Sequence, residues 1–152
     1  MKMKSTHMLI ALLLFLGVGA IFGGFILIIS PSGRLFGMPL SLLHHSPFKD
    51  FMYPGIILFS IIGLVPIYTA YALVNKPENK VAQNLNCYRD MHLAWTFCIY
   101  ISFALILWIQ VEMTIIKVVH WSHTLYMILA IAILFTALLP GVRQSFRRSL
   151  KK

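Results

Sequence analysis

The sequence predicts an all-α membrane protein: an antiparallel four-helix transmembrane bundle with an extracytoplasmic capping loop. Three observations carry this. Four uncharged apolar runs, Met8–Ile29, Phe51–Val74, Met91–Val111 and Val118–Leu139, each hold 21 to 24 residues. A helix rises about 1.5 Å per residue and the hydrocarbon core is roughly 30 Å thick, so each run spans a bilayer once. Together they fill 89 of 152 residues, which leaves a single four-span domain and no room for a soluble one. Charged residues make up only 11% of the chain, against about 25% in ordinary soluble domains.

The third observation is where the charges lie. Lys2, Lys4, Lys76, Lys80, Arg89, Arg143, Arg147, Arg148, Lys151 and Lys152 fall on one side of the predicted spans, and Arg34, Lys49 and Lys117 on the other. Ten against three is the asymmetry of the positive-inside rule, with cytoplasmic N- and C-termini in a multi-pass protein of the cell (inner) membrane. The basic tail, residues 141–152, then faces anionic headgroups, so the net charge of +9 implies membrane lipids as partners and not nucleic acid. The first run continues to Ile29, past the length of a secretory signal, so it reads as a retained span. Cys87 in the cytoplasmic loop and Cys98 in the inner half of the third span predict no disulfide.

In the first span Gly19 with Gly23, and Ala20 with Gly24, form small-xxx-small pairs. Lipid supplies no hydrophobic force between helices, so such a stripe marks a packing face, inside one subunit or at a homo-oligomer seam. The second span opens at Tyr53-Pro54-Gly55, where a proline costs little, and contains Pro66, which removes the bond to the Ile62 carbonyl and predicts a kink. Trp95, Trp108 and Trp121 fall where interfacial belts are expected. The third and fourth spans form a hairpin joined by about Glu112 to Lys117, and Leu139-Pro140-Gly141 ends the fourth. No acidic or basic residue lies near the middle of any span, which disfavours an ion-coupled transporter. Thr96, Tyr100, Ser102, Gln110, Thr124, Tyr126 and Thr136 are expected to bond between helices.

Between the first two spans lies Ser30–Asp50. Pro31-Ser32-Gly33 is a stop signal, Leu35 to Leu43 is apolar but too short to span, and Ser46-Pro47 reads as a helix start. The segment is expected to lie along the outer interface or to cap the bundle. Asp50 beside Lys49 reads as a charge at a helix start.

Gly23-Gly24, Pro31-Ser32-Gly33, Gly37 with Leu40, Ser46-Pro47-Phe48-Lys49-Asp50-Phe51, Pro54-Gly55, Trp108, Gln110 and Trp121 resemble a family of small bacterial four-span proteins grouped loosely with DoxX-like membrane proteins. The resemblance implies a four-helix fold in the cell membrane and no established activity. The acidic residue that DoxX-like proteins carry in the second span has no counterpart here. Where relatives carry Trp-Leu-Gln-Pro, this chain has Trp121-Ser122-His123-Thr124, which makes His123 particular to it.

For chemistry, the predicted topology gathers His44, His45, Asp50, Glu112, His120 and His123 on the outer side. His120 and His123 share a helix face, and with His44 or Glu112 they form a candidate zinc or copper set. Solvated interfacial histidines are the plainer reading. Ser41 or Ser46 lacks an oxyanion arrangement, so an enzyme is disfavoured and no cofactor is expected. The functional expectation is a non-enzymatic module that binds a lipid-like molecule or a membrane partner protein under the cap, whose residues include Pro31, Gly33, Pro47, Phe48, Asp50, Pro54 and Gly55. The alternative is a metal- or redox-linked membrane protein using the outer histidines.

Overall fold

The computed structural model describes residues 2–77 and 82–148, so Lys80, Ser149 to Lys152 and the end of the basic tail lie outside the described residues. Four long helices form the chain: α1 (Lys2–Ile29), α2 (Met52–Asn75), α3 (Leu93–Ile116) and α4 (Trp121–Leu138). A fifth, short helix, α5, covers Pro140–Ser145. All four long helices are long and apolar enough to cross a membrane, and this is a multi-pass membrane protein. The helices pack in a closed ring, α1 on α2, α2 on α3, α3 on α4 and α4 on α1. Leu13, Leu16, Trp95, Leu105 and Ile133 fill its centre. Phe15, Phe22, Phe103, Leu107, Ile128 and Phe135 point outward and exposed, which suits lipid and not water.

The small-residue stripe is spent within the chain. A Cβ placed on Gly24 would lie against the Phe59 and Gly55 backbone, and one on Gly17 would strike Ile67 and the Gly63 carbonyl. Ala20 is buried in the core, and Gly19 meets the Tyr126 hydroxyl. These contacts make the stripe a packing face between helices of this chain.

Pro66 acts on α2 differently from a simple kink. Residues Leu58–Leu64 take π-helical form, and the Val65 N–H reaches back five residues to the Ser60 carbonyl. A wider turn just before the proline accommodates the carbonyls that Pro66 cannot serve.

Several helix ends differ from expectation for local reasons. Helix α3 runs on to Ile116, because Lys117 adopts a left-handed conformation (φ 55°) and donates its N–H to the Met113 carbonyl. The hairpin turn is therefore 117–120, and Glu112 belongs to the helix. Helix α2 starts at Met52, not after Ser46. The Ser46 hydroxyl makes a local turn with Phe48, while Asp50 Oδ1 accepts the Met52 N–H at 3.0 Å. Leu139 breaks α4, and Pro140 then opens α5 instead of a simple tail.

Two further expectations are corrected. Trp95 is not at an interface: it is 2% exposed, and its indole N–H donates to the Ala137 carbonyl at 2.7 Å. Of the polar groups expected to bond between helices, Ser102 bonds its own helix at Cys98 O, and the Tyr100 hydroxyl reaches Leu85 O in the connection before α3. Thr96 instead donates to Asn86 Oδ1 at 2.7 Å. Asn86 also takes the Tyr88 N–H and donates to Met91 O, stitching the α2–α3 connection to α3.

Candidate functional site

The segment between α1 and α2 folds as a cap over one end of the ring. Gly33 (φ 73°) turns the chain, its carbonyl receives the Met38 N–H at 3.0 Å, and the Phe51 N–H closes onto Pro31 O at 2.9 Å. Two single-turn 3₁₀ segments, Arg34–Phe36 and Leu40–Leu43, lie between these ties, and the second packs on α3. Leu43 and Phe51 are buried with Leu27 in a small core of their own, separate from the main one. This places the cap residues named from the sequence together: Gly33 at the first tie, Pro31 at the second with Phe48 and Asp50 just before Phe51, and Pro54 and Gly55 in the first turn of α2. Pro47 is exposed on the cap surface.

Beneath the cap is a cavity of about 270 Å³. Met38, Leu43 and Phe48 close it from the cap, and Leu27 comes from α1. Phe51, Pro54 and Ile57 come from the start of α2, and Trp108, Val111, Glu112, Ile115 and Ile116 from the end of α3. All but Glu112 present mainly carbon. The cavity size is near the small end of the roughly 300–1,000 Å³ typical of ligand sites.

Glu112 is the one carboxylate in this lining, and its side chain is 28% exposed. Trp108, one turn earlier, holds its indole N–H out of solvent and near that carboxyl without a hydrogen bond of proper geometry. From α4, His123 Nε2 stands 4.0 Å from Glu112 Oε2. His123 Nδ1 accepts the His120 backbone N–H at 3.0 Å. A ring nitrogen that accepts is unprotonated, so the imidazole in this arrangement is neutral and turns its Nε2–H toward Glu112. Glu112 is thus approached by two neutral donors and, among the described residues, by no lysine or arginine ion pair.

The histidines expected on the outer side serve helix ends and surface. His120 and His123 form a reciprocal capping box at the start of α4, with His120 Nδ1 3.1 Å from the Ser122 hydroxyl. His44 and His45 are exposed on the cap, their rings tilted 53° apart. Of the set His44, Glu112, His120 and His123, His123 meets Glu112 by side chain and His120 through the capping box, and His44 stands apart on the cap. Among the described residues no three His, Cys, Asp or Glu side chains converge as a metal set. Cys87 is exposed and Cys98 buried, both as free thiols.

Sequence reasoning named Glu112 as a turn residue and candidate metal ligand and Trp108 as a belt residue, not as neighbours lining one cavity. The i, i+4 spacing on a continuous helix is the signal that joins them. Comparison with protein-family models, curated proteins and solved structures found no match for this chain.

Proposed function

We propose that this protein is a non-enzymatic binding module of the cell's inner membrane that holds a lipid-like molecule under its outer cap. One observation carries the reading: an apolar cavity of about 270 Å³ lies between a tied-down cap and the ends of α1, α2 and α3. Largely pre-formed, mostly apolar cavities with few polar groups are the usual form of small-molecule sites. In the proposed orientation both termini and the basic connections face the cytoplasm, as their lysines and arginines favour, and the cap faces outward. The cavity then lies at the depth where headgroups meet acyl chains, and a single-chain amphiphile can enter it with its tail among Leu27, Ile57 and Ile115.

Photolabelling tests this. The protein in lipid nanodiscs is irradiated with a diazirine-bearing dodecanol, and the labelled peptides are mapped. Label concentrated on residues 48–57 and 108–116, and reduced at least several-fold by the cavity-filling Ile57→Trp, is the expected result. Label spread evenly over the outward residues of all four helices, unchanged by Ile57→Trp, would overturn the reading.

A further inference from the structure

Resting on that reading, we infer that the occupant is a lipophilic cation: a single chain ending in an ammonium group, seated with its charge at Glu112. Four features of the cavity meet in this assignment. Its lining is apolar except for one carboxylate, and among the described residues that carboxylate pairs with no lysine or arginine, only with His123 at 4.0 Å, whose Nδ1 accepts the His120 N–H. A carboxylate withdrawn from water without a cation is costly, and a ligand cation offsets that cost. The two polar groups near Glu112, the Trp108 indole N–H and the His123 imidazole, stand without a hydrogen bond to it and leave its charge for a ligand to meet. Finally, Trp108, Phe48 and Phe51 place three aromatic rings in the same lining, and ring faces attract cations, ammonium groups above all. An anionic amphiphile would meet like charge, and a neutral one would draw nothing from the carboxylate's charge.

The size of the cavity limits the ligand to one chain, and its carboxylate lies on the α3 wall, away from the cap ties. Selectivity therefore resides in charge and not in the shape of the headgroup. A membrane aminolipid with one chain and a soluble lipophilic amine share this chemistry.

The test uses the full chain in nanodiscs of phosphatidylcholine, whose lack of net charge keeps the bilayer from concentrating cations by itself. A diazirine-bearing dodecyltrimethylammonium probe is photolysed against unlabelled dodecyltrimethylammonium, dodecanol or dodecanoate. Displacement of label from residues 108–116 is expected at a bilayer concentration of the cation about tenfold below that of dodecanol, with dodecanoate weaker than both. Glu112→Gln is expected to erase this preference while dodecanol still competes, and Glu112→Asp to keep most of it. Additional displacement by single-chain phosphatidylethanolamine points to a membrane aminolipid, and displacement by the alkylammonium alone to a soluble amine. Equal competition by cation and alcohol in the wild type, or a cation preference that survives Glu112→Gln, would overturn the inference while leaving the binding site standing. Label that none of the competitors displaces from the cavity would remove the site itself. The wild-type series decides even where Glu112→Gln does not accumulate.

Discussion

Gly24 and Gly55 face each other backbone to backbone: a Cβ on Gly24 would lie 2.7 Å from the Gly55 carbonyl oxygen, and one on Gly55 3.0 Å from that of Gly24. The contact ties α1 to α2 directly below the cap, where bilayer association must rest on close approach and dispersion. Because the obstruction is backbone on both sides, no side-chain rotation relieves it. Gly24→Ala is expected to destabilise the protein by about 1–3 kcal/mol, as over-packing does. Gly23→Ala, whose new methyl meets only Leu58 at an ordinary 3.5 Å, should be near neutral. Thermal melts in detergent compare the two, and equal losses would show that the stripe is not discriminating at single positions.

His123 closes the start of α4 by accepting the His120 N–H. His123→Ala should cost about 1 kcal/mol, the usual value of a lost cap, and His123→Gln should recover most of it, since glutamine at the same position can accept that N–H. Urea or thermal unfolding of both variants measures this. A glutamine variant as weak as the alanine one would assign the effect to packing instead.

The Asn86 side chain joins four partners: the Thr96 hydroxyl, the Tyr88 N–H, the Met91 carbonyl and the Gln83 amide oxygen. Removing it strands a buried hydroxyl and loosens the connection into α3, so Asn86→Ala is expected to cost about 1–3 kcal/mol. Proteolysis should then cut the α2–α3 connection faster than in the wild type. An unchanged cleavage rate would mean that the connection is held by its other ties, such as the Tyr100 hydroxyl bond to Leu85 O.

Lys117 pays a steric penalty for its left-handed backbone at the end of α3. Lys117→Gly should raise stability by about 0.5–1 kcal/mol, because glycine takes this conformation freely. A lower melting temperature would show instead that the lysine's charge at the helix C-terminus outweighs the strain.

Orientation has native reporters. Cys87 is exposed on the α2–α3 connection and Cys98 is buried, so a membrane-impermeant maleimide should label the wild type only after the cells are permeabilised. Ser32→Cys in a Cys87→Ala background should label in intact cells. The reverse pattern would invert the proposed topology.

The four spans were legible because an uncharged run of more than twenty residues has one economical state in a bilayer. Trp95 was not, since an indole suits either an interface or a core whose backbone offers it an acceptor, here Ala137 O. The end of α3 was hidden because Lys117 does the work of a glycine without being one. For the same reason Glu112 read as a turn residue, and its place in the cavity wall could not be seen. His120 and His123 share a helix end as their spacing implied, yet each satisfies the other's backbone, a use that no ligand spacing distinguishes. Asn86 carries no sequence signal beyond that of a turn former.

The π-helical stretch Leu58–Leu64 has a consequence for how the second span can vary. An α-helix turns about 100° per residue, so one residue accommodated in a widened turn rotates everything beyond it by that amount relative to a straight helix. The cap-bearing half of α2, with Gly55 against Gly24, and the half that places Gly63 against Ile21 thus keep separate phases along one axis. Winding this stretch as regular α-helix at unchanged length would force a common phase on both halves, whereas deleting one residue would leave both faces where they are. Whichever half kept its glycine in the seam would swing the other's out toward lipid, so the binding end and the opposite end of this molecule are geared through one turn of backbone.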